Sequence, residues 1–490
     1  MENVRNNILE GSVFKGFVKF SLPILFALIL QALYGVVDLW TVGRFSSTAN
    51  ISAVAIGSQT ILIITGFLTG LATGVTVILG KKIGEKDYKG ASKTIVSSII
   101  LFLILGFLIS ILMVFLAKPI AILMNTPEEA LEPTIRYIQI CGGGSIFIAA
   151  YNLLSAIFRG LGDSKSPLLF VFIAAVVNIV GDLILIYNFK MGAVGAAIAT
   201  IASQALSVLL SLVYFKLKKS TFVFEKDSLK FDKSATKTIV KIGLPVGFQD
   251  FCSEVSYLLL FAFVNVLGLA ASAGVGIAEK VVIFVLLIPN TFMQSISAMV
   301  AQNIGANNIK RADKILGVGL ILAIILGAIV SIIVFFFGES LSTIFIDKTI
   351  ENATETIKDS GLFLKTTSIE CFLFCIAYCF MGYLNGRGKT RFVMIQGICA
   401  IFLVKIPYLY LATYVMEPNL FNMGLALVFS ALFSLIVCLF YFFIFKHKEK
   451  KSQNLWFIQV YKSSNFRCKC FSNLKQKNQY VFIIKSFMAY

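Results

Sequence analysis

The stretch KKIGEKDYKGASKTI (residues 81–95) returns as QNIGANNIKRADKIL (residues 302–316), with the Ile-Gly pair, a Lys, an Ala and a second Lys in register. Two more pairs keep almost the same spacing: KFSLP (19–23) with KIGLP (241–245), and RGLGDSK (159–165) with NGRGKTR (385–391). The offsets run from about 221 to 226, so the chain is one unit written twice.

Composition says what kind of unit this is. With 58% hydrophobic and 14% charged residues, the chain is too apolar for an ordinary water-soluble globule. Apolar runs fall at about 17–43, 52–80, 94–117, 134–158, 167–187, 192–215, 239–266, 274–304, 315–337, 361–384, 392–416 and 421–445. Each is close to or above the ~20 residues that carry a helix across ~30 Å of hydrocarbon. They lack the ~10-residue alternation of a membrane barrel. The expected fold is an all-α integral membrane protein of twelve transmembrane helices. Its domains read as an N-terminal six-helix lobe (1–215), a charged linker (216–238), a C-terminal six-helix lobe (239–446) and a basic tail (447–490). Six is even, so both copies start and end on the same side, and the pseudo-twofold axis relating them runs along the membrane normal.

The net charge of +18 suggests nucleic acid only until its placement is considered. About 34 of the 43 Lys and Arg fall on the side that holds both termini and loops 81–93, 216–238 and 385–391. By the positive-inside rule this side is cytoplasmic, which places the chain in the inner membrane with both termini inside and no nucleic-acid partner. The first apolar run has the length of a span and no cleavage site of a signal peptide.

Against this background the carboxylates inside spans stand out. QALYGVVDLWTVG (31–43) places Asp38 in the first span, where an ionised Asp costs at least ~3 kcal/mol and is read first as functional. At ~1.5 Å rise per residue, Asp38 and Asp182 each lie ~9 Å below the outer ends of spans 1 and 5, and Thr200 lies ~13 Å deep in span 6. Asn178 is one turn from Asp182, and Gln31 two turns from Asp38, on the same helix faces. Two carboxylates brought together in low dielectric either share a proton or hold a sodium ion. The bland alternative is that both only cap backbone breaks or join helices. The second lobe lacks an Asp38 equivalent. It carries Asp250 and Glu254 on span 7, Glu279 and Lys280 on span 8, Lys365 and Glu370 on span 10 and Lys405 on span 11, which suits either a second cation site or a structural ion-pair network.

Other signals are weak. Cys371, Cys375 and Cys379 repeat at i, i+4, i+8, as small polarizable residues at helix contacts do. GVTVILGKK (74–82) has the wrong spacing for a phosphate loop, and there is no zinc-protease or nucleophile motif, so neither an enzyme nor a resident metal or other cofactor is expected.

Several of these segments together, LP…LQALYGVVDLWTVGR, RGLGDSKSP, VNIVGDLILIY, GAVGAAIATIASQ and GIAEK…FMQSISAMVAQNIGA, resemble the bacterial MATE (multidrug and toxic compound extrusion) transporters over about residues 12–446. The resemblance implies efflux of cationic or amphiphilic compounds in exchange for H⁺ or Na⁺. It implies a cation network at Asp38, Asn178, Asp182 and Thr200, with Gln31 and Asn152 lining the substrate cavity. Tyr34, Gln204 and Glu279 are added to that lining, and Glu254 matches in type and helix an acidic cation ligand of the sodium-coupled branch. The expected partners are small organic cations or amphiphiles and membrane lipids, with the chain a monomer. Two other readings compete: a flippase or exporter of an endogenous lipid-linked or metabolic substrate, and a non-transporting membrane scaffold whose basic tail recruits partners.

Overall fold

Inside hydrocarbon every backbone amide needs a partner from its own segment, so a chain this apolar resolves into helices. The computed structural model describes residues 8–217, 231–346 and 353–463, and among them it contains helices and no strand. The first lobe comprises α1 (Val13–Phe45), α2 (Thr48–Gly84), α3 (Tyr88–Leu123), α4 (Glu128–Gly143 and Ser145–Gly160), α5 (Lys165–Asp182, continued by a π-helical turn, Leu183–Asn188) and α6 (Gly192–Leu217). The second comprises α7 (Lys233–Val264), α8 (Leu269–Gly305), α9 (Ile309–Ser342), α10 (Ala353–Gly386), α11 (Thr390–Cys399, a π-helical turn Ala400–Lys405, then Ile406–Tyr414) and α12 (Leu420–Ser463). Among the described residues, eleven helices are long and apolar enough to span a membrane, and the two parts of α4, bent by 45°, make the twelfth.

The repeated stretch shows how sequence sets a local turn. In the first copy α2 ends at Gly84, Lys86 takes φ +58°, and the Asp87 carboxylate accepts the Gly90 N–H at 2.8 Å to start α3. In the second, α8 ends at Gly305, Asn307 takes φ +57°, and the Asn308 side chain caps α9 through the Arg311 N–H. Asp and Asn are good N-caps because a short side-chain oxygen reaches the unpaired amides of the first turn. The Lys82 ammonium, 2.8 Å from Asp87, holds that carboxyl below the usual carboxylate range, helped by the Gly90 amide.

The same two Ile-Gly pairs bring the lobes together. A Cβ on Gly84 would strike the Gln302 carbonyl oxygen, and one on Gly305 would strike the Lys81 carbonyl oxygen, a reciprocal contact about the pseudo-twofold axis. Gln302 donates to the Gly160 carbonyl at 2.8 Å, and Asn303 donates to the Ile8 carbonyl at 3.3 Å. The lobes thus meet backbone to backbone at the end of the bundle that carries loop 81–93. Deeper along the seam, α2 and α7 cross glycine on glycine: Gly70 on Gly247 and Gly74 on Gly243, with would-be Cβ positions 2.5 and 2.6 Å from the facing backbone. Both helices carry glycines four residues apart, the spacing that lets helix backbones approach in a membrane without a hydrophobic driving force.

Two expected boundaries shift. The linker expected over 216–238 begins after α6 ends at Leu217 and stops where Asp232 caps α7; residues 218–230 lie outside the described ones. The tail expected from 447 is helical to Ser463, because α12 continues through the charged HKEKK segment without a breaker, and residues 464–490 lie outside the described ones. The chain through Cys438 is one compact unit; in the unit that begins at Leu439, Lys446 pairs with Glu449 at 3.1 Å. Cys371, Cys375 and Cys379 are buried, and Cys375 fills the space beside Gly327 of α9, which is the helix-contact role.

The glycine contacts make a quantitative prediction. Gly84→Val places branched methyls against backbone that has no room to move, and overpacking of this kind costs ~1–3 kcal/mol or more. It is expected to lower the thermal transition of the purified protein by several degrees, whereas Gly317→Val, whose Cβ meets nothing within 4 Å, leaves it close to wild type. Equal transitions would remove this contact from the account.

Candidate cation site

Small residues build the first-lobe site. The α6 segment from Gly192 to Ala199 buries Gly192, Ala193, Gly195, Ala196, Ala197 and Ala199, and a Cβ on Gly181 of α5 would lie 3.1 Å from the Ala199 methyl. α5 and α6 therefore run close, and α1 packs across both. Asp38 from α1, Asn178 and Asp182 from α5 and Thr200 from α6 meet in this layer. The Thr200 hydroxyl donates to Asp38 Oδ2 at 2.9 Å. Asp182 and Asn178 stand beside the same carboxyl, although neither completes a bond of full hydrogen-bond geometry to it. Asp38 is 4% exposed, and Asn178 and Asp182 are fully buried.

Little of the polarity of this layer is satisfied within the protein. Asp38 Oδ1, both Asp182 oxygens, both Asn178 amide atoms and Thr41 Oγ1 are buried without a hydrogen-bond partner among the described residues. Buried polar groups in native proteins are nearly always paired, and each one left over costs ~1–3 kcal/mol. A cluster of oxygens from three helices suits a cation or a proton. Among the described residues no group of three or more His, Cys, Asp or Glu could hold a metal ion, so any ion here is held by two carboxylates and neutral oxygens. The α-helix of α5 gives way to its π-helical turn directly after Asp182, and such turns often mark functional positions.

The other expected residues separate into distinct places. Gln31 and Asn152 line a cavity of about 90 Å³ together with Tyr151 and Arg159 of the first lobe and Gln294 of α8 in the second. Gln31 donates to the Tyr151 hydroxyl at 3.0 Å, and Asn152 accepts from Thr69 at 2.8 Å. Tyr34, Gln204 and Glu279 are not among the residues lining it. The Tyr34 hydroxyl donates to the Val171 carbonyl at 2.8 Å, tying α1 to α5; Gln204 is half-buried on α6; and Glu279 accepts from Gln59 at 3.2 Å, across the seam between lobes. Asp250 and Glu254 lie on α7 against the glycines of α2: a Cβ on Gly70 would come 2.7 Å from Asp250 Oδ2, and one on Gly66 3.6 Å from the Glu254 side chain.

Lys405 does not form a direct ion pair with the second-lobe acids. Its ammonium donates to Ser256 at 3.0 Å and sits 4.1 Å above the Tyr257 ring, with Glu370 and Glu254 acting on it from farther away. Sequence reasoning missed Ser256 and Tyr257, although their place two and three residues after Glu254 on α7 could have suggested them. It also missed Thr41, three residues after Asp38, and Tyr137 and Cys141 of α4, which lie within range of the Asp38 charge.

Comparison with known proteins bears on the same segments. The MatE family model matches residues 23–184 and 245–411, once in each lobe. The chain is 24% identical over 450 residues to the probable multidrug resistance protein YoeA of Bacillus subtilis, covering 90% of this chain and 96% of YoeA. It is 26% identical over 398 residues to the multidrug export protein MepA of Staphylococcus saprophyticus, covering 80% and 86% of the two chains. Its fold is shared with the outward-facing structure of a multidrug resistance MATE family transporter, at a TM-score of 0.84 and 22% identity over 92% of this chain and 99% of that one.

The hydrogen bond from Thr200 has a measurable consequence. Thr200→Val keeps the shape but leaves another carboxylate oxygen unpaired, a loss of ~1–3 kcal/mol. The thermal transition in detergent should fall for Thr200→Val and stay near wild type for Thr200→Ser; a fall of the same size in both would mean that the methyl, not the hydroxyl, matters.

Proposed function

Because the chain belongs to the MatE family of multidrug efflux transporters, we propose that it is a secondary active antiporter that expels cationic or amphiphilic compounds in exchange for an inward H⁺ or Na⁺. One observation carries the coupling half of this reading: two carboxylates from α1 and α5 share a buried layer in which five oxygens, on Asp38, Asp182, Asn178 and Thr41, have no hydrogen-bond partner among the described residues. A single positive charge entering that layer resolves the cost of holding two carboxyls together in hydrocarbon. The same oxygens serve a proton shared between the carboxyls or a sodium ion.

Binding at this layer acts on α1, because Asp38 is attached to it. With the cation bound, α1 is drawn toward α5 and α6; with it released, the carboxylates repel and α1 is freed. The drug is placed between the lobes, where Asp250, Glu254 and Glu279 supply negative charge for a cationic compound. In this reading the basic end is cytoplasmic, both termini are inside, and the Gly84–Gly305 contact corresponds to an outward-facing state. Alternating access then requires that contact to open while the opposite end closes. The protein works as a monomer, since each chain holds both lobes.

The test is ethidium transport in vesicles energised separately by a pH gradient and by a sodium gradient. Efflux driven by one gradient and lost in Asp38→Asn is the expected result. Failure of both gradients to move ethidium or any of a small panel of organic cations would overturn the drug-efflux reading and favour export of an endogenous substrate.

A further inference from the structure

A groove of about 680 Å³ opens between the first half of α7 and the first turns of α11. Its rim carries Lys237, Lys241 and Arg391, all exposed. Among the described residues no carboxylate pairs with any of the three. Below the rim the wall is apolar and open: Leu244 and Phe248 are each 45% exposed and Ile395 is 56% exposed. From Lys241 to Phe248 the helix descends ~10 Å. The groove thus carries its cations within the first three turns of α7 and the first turn of α11, and its apolar residues reach farther along both helices.

The duplication supplies independent evidence. The cations Lys237, Lys241 and Arg391 fall on Lys15, Lys19 and Lys165 of the first lobe, at the repeat offsets already described, and these too are exposed at the starts of α1 and α5. Leu244, Pro245 and Phe248 fall on Leu22, Pro23 and Phe26. The remaining wall, Val240, Met394 and Ile395, falls on Val18, Leu168 and Leu169. Every residue lining the groove therefore recurs in kind, even though Asp38 has no counterpart in the second lobe. Whatever this surface serves, it serves in both lobes and is separate from the one-sided cation site.

We propose that each lobe holds one anionic phospholipid at this position, with the headgroup phosphate on the two Lys and the third cation, and an acyl chain lying along the Leu and Phe. Free phosphate would need no apolar wall. A zwitterionic lipid would gain little from three cations that have no carboxylate partner among the described residues. Basic pockets between transmembrane helices on the cytoplasmic side are a known form of acidic-lipid recognition, and each surface cation contributes roughly a fivefold gain in binding. The lipid bridges the first and fifth helices of its lobe; in the first lobe these are the helices that bring Asp38 and Asp182 together.

The experiment is native mass spectrometry of the full chain in detergent with dioleoyl phosphatidylglycerol or dioleoyl phosphatidylcholine. Wild type is expected to retain two phosphatidylglycerols per chain under conditions that strip phosphatidylcholine. The triple variant Lys237→Gln/Lys241→Gln/Arg391→Gln should retain one, Lys15→Gln/Lys19→Gln/Lys165→Gln should retain one, and the six-fold variant none. All six side chains are exposed, so folding is checked by an unchanged thermal transition in phosphatidylcholine. Leu244→Asn/Phe248→Asn, which leaves the charges in place, should also lose one lipid. Equal retention by wild type and the six-fold variant, equal retention of phosphatidylcholine, or displacement of the lipid by millimolar inorganic phosphate would each overturn the proposal.

Discussion

Two carboxylates cannot both stay charged and unpaired in the same hydrocarbon layer, and the arrangement of the first lobe follows from that constraint. Asp38 and Asp182 are brought together by helices whose contacts are small residues, Gly181 against Ala199 and the glycine and alanine run of α6. Thr200 satisfies one oxygen, and five more on the surrounding side chains remain unmatched among the described residues. Such a site is costly as pure scaffold and useful as a place for an exchangeable positive charge.

The second feature is how little side chain holds the two lobes together along the glycine contacts. Their seam is made of backbone: Gly84 and Gly305 at the basic end, Gly70 on Gly247 and Gly74 on Gly243 deeper in. Contacts of this kind give close approach with few side chains to disentangle, so their opening is limited by van der Waals contact and by the hydrogen bonds of Gln302 and Asn303. The acids of α7 lie directly on this seam at Gly66 and Gly70, so charge in the second lobe acts where the lobes meet.

Much of this was legible in the sequence because a membrane removes most alternatives. The repeat of residues 81–95 at 302–316 implied two like-oriented lobes, and helical rise alone put Asp38, Asp182 and Thr200 at related depths. Other features depend on rotation about helix axes, which depth arithmetic does not supply. Tyr34 shares a helix with Gln31 and Asp38, yet its hydroxyl is spent on the Val171 carbonyl. Lys405, expected among acids, has Glu370 and Glu254 at a distance and meets Ser256 and an aromatic face directly. The π-helical turns after Asp182 and before Ile406 carry no composition signal, since their residues are as apolar as their neighbours. At the start of the tail, Lys, Glu and Gln are good helix formers, so α12 does not stop where its hydrophobicity does.

The central claim is that the Asp38–Asp182 layer holds one exchangeable positive charge whose release is linked to drug binding. Its most direct test is to titrate purified protein with ethidium in weakly buffered solution while recording proton release by pH and sodium release by a ²²Na⁺ tracer. The account predicts release of about one cation per chain from wild type and none from Asp38→Asn. Release from Asp38→Asn equal to that of wild type would contradict it and move the coupling site out of the first lobe.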